Sequence, residues 1–379
     1  MSVFKVNFNE PPFVGAEMDF IRKALDNKKI SGDGAFTKKC ENGFKRLLGI
    51  ETTPILTSSC THALEMVALI EQFSSKDEII VPSFTFVSSA LAFEKFNISL
   101  SFADVDQLYG TLTLDTVKSS LQPNTKAVVY VHYGGRINPE FWKILEFCRS
   151  NNLILIEDAA QCVGAKVDKG YLGCFGDYGT FSFHETKNLT SAGEGGMLVV
   201  KNKVKAKMAF MVRDKGTNRR EFFLGQTDKY TWKSIGSSYL MSDISAAYLF
   251  AQIKEIKRIT DYRNLMCRTY QDDLLELKQA NLIWFPEIDR TYNGHMFYIL
   301  SKDRDDLISY LRQNMIEATF HYLPLEQSPY IRSKHKVIKN CKNSAELSNN
   351  LIRLPLHLNL KESEIRFITT SLKKYYNEK

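Results

Sequence analysis

The sequence predicts an α/β fold: a large domain built on a mostly parallel sheet, then a small C-terminal α+β domain. Three observations carry this. Between residues 78 and 157, short apolar runs alternate with helical patterns of about ten residues, the signature of parallel strands with covering helices. The runs Val128–Val131 and Leu153–Ile156 are almost continuously apolar, as strands buried on both faces are. Past residue 240 the alternation gives way to a long helical pattern and then to a shorter strand–helix–strand–helix series.

Taken in order, helical patterns cover Pro11–Asn27, Phe36–Leu48 and Thr61–Gln72. Glu78–Pro82 reads as a strand, Phe86–Phe96 as a helix, Leu100–Asp104 as a strand and Leu114–Leu121 as a helix. Ala127–His132 is a strand, Phe141–Asn151 a helix and Leu153–Glu157 a strand, followed by strands Thr180–His184 and Met197–Val200. Ser242–Leu275 carries a helical pattern without a breaker. A strand at Met296–Leu300, a helix at Asp305–Asn314, a strand at Ala318–Tyr322 and a helix at Glu362–Tyr376 complete the chain. The expected division is 1–250 for the sheet domain and 251–379 for the small domain.

Composition narrows the function. The chain has 379 residues, is 44% apolar and 25% charged, and carries a formal charge of +7. Its basic residues are scattered, so no nucleic-acid partner is expected. Seven cysteines without a C-x-x-C pair argue against a zinc ribbon and a secreted disulfide framework, and no metal site is expected. The start lacks a basic-then-apolar leader and no apolar run approaches ~20 residues, so neither a signal peptide nor a membrane span is expected. A reducing cytoplasm is the expected location.

Open α/β sheets bind ligands at the carboxyl ends of their strands. Asp158 follows Leu153–Glu157, His132 ends Ala127–His132, and Lys187 follows Thr180–His184 ahead of the glycine-rich Gly193-Glu194-Gly195-Gly196. A lysine is ordinarily a solvated surface residue. One placed between a buried strand and a turn of close backbone approach is instead expected to be enclosed, with a depressed pKa and the capacity to form a Schiff base with an aldehyde. Asp158 is either the N-cap of a following helix or a carboxylate facing a pyridinium nitrogen. Pyridoxal phosphate requires that lysine and that acid together. Thr57–Thr61, ahead of the apolar helix, offers hydroxyls and free amides for a phosphate, although such runs also cap ordinary helices. Ser182 is a further hydroxyl, and Phe84 and Phe86 are either ring-stacking or core aromatics.

Pro82–Phe86, Glu157–Gln161, Ser182–Asn188 and Gly193–Gly196 together resemble the DegT/DnrJ/StrS family of pyridoxal-phosphate-dependent sugar-nucleotide aminotransferases, over nearly the whole chain. Within it, Phe183–Asn188, Lys215–Arg219, Asp228–Trp232, Gly236–Asp243 and Phe320–Tyr322 resemble the subgroup that makes dTDP-4-amino-4,6-dideoxygalactose for enterobacterial common antigen. The resemblance implies the aspartate-aminotransferase fold (fold type I) and homodimers with active sites shared at the interface. It implies Lys187 as the cofactor's lysine and Asp158 as its pyridinium partner. Gln161 falls at the ring hydroxyl, Phe86 on the ring, and Cys60, Thr61 and Ser182 at the phosphate. Ser238 stands where many members carry an asparagine that reaches the partner's phosphate, and Glu326 stands where they carry a histidine.

The implied reaction is glutamate-dependent transamination of a nucleotide-linked 4-keto-6-deoxy sugar, dTDP-4-keto-6-deoxyglucose, in cell-surface polysaccharide (O-antigen or lipopolysaccharide) synthesis. Arg219, Arg220 and Lys229 are the candidate diphosphate contacts, with Tyr230, His321 and Tyr322 completing the sugar site. The alternatives are the equatorial 4-amine, a 3-keto substrate and a non-catalytic sensor. Dehydrating relatives replace the lysine by histidine, and Lys187 stands against that reading.

Overall fold

The computed structural model describes residues 4–334 and 340–378; of the two expected domains, residues 1–3, 335–339 and 379 lie outside the described ones. The strands are β1 (Ile55–Thr57), β2 (Glu78–Pro82), β3 (Ser99–Ala103), β4 (Thr125–Val131), β5 (Ile154–Asp158), β6 (Lys166–Val167), β7 (Gly170–Tyr171), β8 (Tyr178–Ser182), β9 (Gly196–Val200), β10 (Phe297–Leu300) and β11 (Leu351–Leu354). The helices of the first half are α1 (Glu17–Asp26), α2 (Ala35–Leu48), α3 (Cys60–Glu71), α4 (Ser88–Glu94), α5 (Leu114–Lys118), α6 (Glu140–Ser150) and α7 (Lys203–Arg213). The second half adds α8 (Arg219–Phe223), α9 (Asp243–Lys254), α10 (Ile256–Gln279), α11 (Arg304–Gln313), α12 (Pro329–Lys334), α13 (Lys342–Asn350) and α14 (Glu362–Asn377).

Seven strands form one sheet in the order β1-β9-β8-β5-β4-β2-β3. The run from β8 to β3 is parallel, while β9 is antiparallel to both β8 and β1. β1 therefore runs with the parallel strands, and the carboxyl ends of β1, β2, β4, β5 and β8 share one edge. Side-chain alternation divides the strands between two cores. Val129 and Val131 of β4 join α3, α4 and α7 on one face, and Val128 and Tyr130 join α6 on the other. Both faces are covered, which is why these strands are apolar throughout. β10 and β11 pair antiparallel and pack with α10, α11 and α14 into a further core from Met266 to Leu372, joined by Val6.

Three expectations of the sequence reading are corrected. The helical pattern at Ser242–Leu275 is two helices, broken at Glu255; no proline or glycine marks the break, so composition does not announce it. Ala318–Tyr322 is not a strand, since its pairing is reduced to one bridge between Thr319 and Arg353. The strand partner of β10 is β11 instead, whose run Leu351-Ile352-Arg353-Leu354 ahead of Pro355, apolar but for Arg353, is a short, mostly buried strand. The first helix also begins later than expected, at Glu17, because Pro11, Pro12 and a left-handed Gly15 (φ 99°) hold the preceding chain out of helix.

Candidate active site

The strand ends carry the site. After β1 the chain turns at Ser58-Ser59 into α3, and Ser59 caps that helix by accepting the amide of His62 at 3.0 Å. The first intrahelical bond is Ala63 N–H to Ser59 O at 3.1 Å, so the amides of Cys60 and Thr61 lie ahead of it at the positive end of the helix. β9 passes close behind: a Cβ on Gly196 would stand 2.3 Å from the Ser59 carbonyl carbon and 2.4 Å from the Cys60 nitrogen. Only glycine permits that approach. Thr61 donates to Ser88 Oγ at 2.7 Å, and Ser182, ending β8, accepts the amide of His184 at 3.3 Å.

Asp158 closes β5 and is buried. Its Oδ2 accepts from Ser89 at 2.6 Å and its Oδ1 from the amide of Ala160 at 3.1 Å. Burial pushes its carboxyl pKa up, and the bonds from Ser89 and Ala160 and the charge of Lys187 oppose that rise. Lys187 sits in the loop after β8, its amide bonded to His184 O at 2.9 Å. Burial pulls its amine down from the ordinary lysine value, helped by the neighbouring Arg353 guanidinium and opposed by Asp158 among others. The next residue is anchored on both sides: Asn188 Nδ2 donates to Asn293 O at 2.8 Å, and His295 Nδ1 lies 3.1 Å from Asn188 Oδ1.

These groups line one cavity of about 550 Å³. Of the sequence-predicted residues, it brings together Lys187, Asp158, Cys60, Thr61, Phe86, Gln161, Ser182, His321 and Tyr322. Gln161 Oε1 accepts the amide of Gly134 at 2.6 Å, and its Nε2 lies 3.4 Å from the Tyr322 hydroxyl. His321 stacks on Tyr322 with ring centres 3.8 Å apart. Phe86 is 57% exposed at the cavity wall, a large aromatic face left for a ligand.

Five predicted residues do not line this chain's cavity: Ser238, Arg219, Arg220, Lys229 and Tyr230; Arg220 instead lies over the Phe210 ring, 3.4 Å from its centre. Arg219 is tied to Asp214 Oδ2 at 3.2 Å on the excursion between α7 and α9. Lys229 and Tyr230 are exposed on the same excursion, as is Ser238; the neighbouring Tyr239 carbonyl accepts the amide of Ser58 at 2.9 Å. His132 does not emerge into the site either. It is fully buried, its Nε2 2.7 Å from Glu157 Oε2, and Glu157 also accepts the amides of Gly173, Phe175 and Gly176. That pair staples the turn before β8. Glu326 is buried, bonded to Ser83 Oγ at 2.5 Å, and burial raises its pKa. Sequence reasoning missed His295 and Arg353, both cavity-lining. Arg353 carried a signal: a lone cation in an otherwise apolar LIRL run.

Comparison with known proteins agrees with this geometry. The sequence profile of the DegT/DnrJ/EryC1/StrS aminotransferases matches residues 14–373. The chain belongs to that family. It is 27% identical over 374 residues to a GDP-perosamine synthase of Escherichia coli O157:H7, covering 98% of each protein. It is 28% identical to a dTDP-4-dehydro-2,3,6-trideoxy-D-glucose 4-aminotransferase of Saccharopolyspora spinosa, over 97% of this chain and 96% of that one. The crystal structure of the aminotransferase TlmJ from Streptoalloteichus hindustanus superposes with a TM-score of 0.88 at 25% identity, over 97% of each chain. The protein is a sugar-nucleotide aminotransferase with the fold-type-I architecture, and its cofactor is pyridoxal 5′-phosphate.

The residues present fit that group. Lys187 and Asp158 line the same cavity, an amine and an acid of the kind the cofactor's aldehyde and ring nitrogen require. The helix terminus at Cys60 and Thr61, with backbone pressed against it at Gly196, is an anion cradle. Among the described residues no helix is long and apolar enough to cross a membrane.

Proposed function

We propose that the protein transfers the amino group of glutamate to C4 of a nucleotide-linked 4-keto-6-deoxy sugar, taking dTDP-4-keto-6-deoxyglucose to the axial amine dTDP-4-amino-4,6-dideoxygalactose for a cell-surface polysaccharide. The observation that carries the chemistry is the meeting of Lys187 and Asp158 in one cavity at the ends of parallel strands. The sugar assignment rests on the subgroup motifs Phe183–Asn188, Lys215–Arg219, Asp228–Trp232 and Phe320–Tyr322.

Bound pyridoxal phosphate supplies an electron sink that holds the charge left when a C–H bond beside nitrogen is broken. The chain's own residues do the rest. Asp158 keeps a proton on the ring nitrogen. Lys187, whose pKa burial lowers, is the amine placed to take the proton from the donor's carbon and return one to the sugar carbon, as general base and then acid. Cys60, Thr61 and Ser182 would hold the phosphate, Gln161 the ring hydroxyl, and Phe86 would pack on the ring. His321 and Tyr322 border the sugar.

The active unit in this reading is a dimer whose second copy brings Ser238 to the phosphate and Arg219, Lys229 and Tyr230 to the nucleotide. Their excursion supports this with an apolar surface unlike that of a solvated loop: Phe223 is 72% exposed, Trp232 78% and Ile235 73%. All seven cysteines are free, which supports a reducing cytoplasm.

The test is incubation of purified protein with glutamate and dTDP-4-keto-6-deoxyglucose, alongside the GDP-linked 4-keto and dTDP-linked 3-keto sugars, with NMR of the product. An axial C4 amine from the dTDP sugar is expected. An equatorial amine, or turnover confined to a rival sugar, overturns the substrate assignment. A fully active monomer in sedimentation overturns the shared site.

A further inference from the structure

The cavity wall carries an imidazole whose tautomer the fold fixes. His295 stands two residues ahead of β10 and lines the same space as Lys187. Its backbone is held on both sides: the amide donates to Asn293 Oδ1 at 3.1 Å, and the carbonyl accepts from Arg263 Nη2 at 2.7 Å. Asn293 Nδ2 in turn donates to the carbonyls of Gln161 and Val163 at 2.8 and 3.0 Å, which ties this segment to the loop after β5.

Asn188 settles the ring. A carbonyl only accepts, so the 2.8 Å bond to Asn293 O identifies the end of the Asn188 amide that faces it as Nδ2. Oδ1 then faces His295 Nδ1, 3.1 Å away, and Nδ1 must carry the proton. Nε2 is left with a bare lone pair. An imidazole that takes protons in catalysis is backed by a carboxylate in the Ser-His-Asp arrangement, which stabilises the charged ring; the partner here is a neutral amide. Burial, and then the charges of Lys187, Arg263 and Arg353, push the His295 pKa well below its ordinary value. Nε2 is therefore an acceptor of hydrogen bonds and not of protons.

Among the described residues nothing donates to that nitrogen, and nothing accepts from the Lys187 amine. An unused acceptor and an unused donor border one cavity, and Lys187 is joined by its own peptide bond to Asn188, the partner of the ring. Of the charged groups around His295, Lys187 acts on it most strongly. We propose that His295 Nε2 accepts one N–H of Lys187 once the amino donor has displaced that lysine from the cofactor, and so is a positioning residue for proton transfer. A free amine has one lone pair; with one N–H held, the lone pair is turned toward the donor's carbon. When Lys187 takes the proton from that carbon, its bond to Nε2 becomes charge-assisted. The ring does not take the proton, which stays on Nζ to be handed on. This rests on the aminotransferase reading above and deepens it.

Two measurements test it. The first is a crystal structure of wild-type holoenzyme treated with glutamate, which frees Lys187 and needs no variant. Nζ should lie within about 3.2 Å of His295 Nε2; Nζ bonded elsewhere, or Nε2 taken by another donor, overturns the proposal. The second is stopped-flow absorbance of the glutamate half-reaction with α-protonated and α-deuterated glutamate. His295→Leu at full cofactor content should slow that step by about 10–150-fold, the range of a hydrogen bond to a charged group. Its glutamate affinity should be unchanged and its isotope effect undiminished. His295→Gln, whose Oε1 can accept in place of Nε2, should recover part of the rate. A wild-type rate in His295→Leu, a diminished isotope effect, or a loss that falls on glutamate or cofactor binding instead overturns the proposal. If wild-type holoenzyme shows no colour change with any amino acid, the donor half of the aminotransferase reading fails; if it does change and Nζ stands away from Nε2, only the His295 assignment fails.

Discussion

Replacing Asp158 by asparagine separates charge from shape. The side chains are nearly isosteric, and the surroundings can adapt. Asparagine Oδ1 can still accept the Ala160 amide, while Nδ2 donates to Ser89, which is then free to donate to Thr85 Oγ1, 2.9 Å away. The fold should survive. The loss is a unit negative charge beside the ring nitrogen. Two unit charges ~4 Å apart at an effective dielectric of ~20 interact by ~4 kcal/mol, which is about three decades in rate. Asp158→Asn should therefore slow the glutamate half-reaction by about 10²–10⁴-fold, read by stopped-flow absorbance at saturating glutamate with cofactor content checked. The apoprotein should move the other way. Burial raises the folded pKa of Asp158 above its unfolded value, so the folded state binds more protons between the two, and wild-type stability falls as pH rises through that window. The Asp158→Asn substitution removes the penalty. The variant's gain should be full above the folded pKa and vanish below ~3.9, the unfolded value. A variant within tenfold of wild-type rate with full cofactor content would refute the role assigned to the carboxylate.

Lys187→Met should abolish transfer and borohydride fixation of cofactor. Because burial lowers the Lys187 pKa in the fold, the folded state binds fewer protons and wild-type apoprotein gains stability as pH rises toward ~10.4; the Met variant's advantage in thermal melts should be largest at low pH and gone above that value. Glu326→Ala should cost about 1–3 kcal/mol in denaturant unfolding, by leaving Ser83 unpaired, whereas Glu326→Gln keeps that bond and should leave the product's stereochemistry unchanged. Loss of sugar-nucleotide binding in a folded Glu326→Gln enzyme would return Glu326 to the substrate site.

What was legible in the sequence follows from where each interaction is encoded. Strand–helix alternation and buried apolar runs are local, so the order and bounds of β2 to β5 could be read within a residue or two. Asp158 closes β5, Ser182 ends β8 and Lys187 follows it, so these cavity-lining candidates were legible from strand ends for the same reason. Ala318–Tyr322 misled because its β-like residues are spent otherwise: His321 and Tyr322 stack at the cavity rather than alternate across a sheet. His132 misled because strand-end position does not reveal which face a side chain takes, and its partner Glu157 lies 25 residues away. Arg353 and His321 meet across 32 residues, and neither residue's neighbours announce the contact. Glu326 stands in a departure from the family motif, and only the fold shows that it pairs with Ser83, 243 residues distant.

The same division explains why the reaction is easier to assign than the sugar. The groups that the cofactor's chemistry requires are few and obligatory, and their candidates Asp158 and Lys187 lie at the ends of regular strands of the sheet. In the proposed reading, sugar and nucleotide are met by His321 and Tyr322, on a segment without regular pairing, and by Arg219, Lys229 and Tyr230, on an excursion outside this chain's own cavity. Neither segment is held by sheet registry, so both can change with little cost to the cores. Relatives named for GDP-linked and dTDP-linked sugars are what such a scaffold is expected to yield.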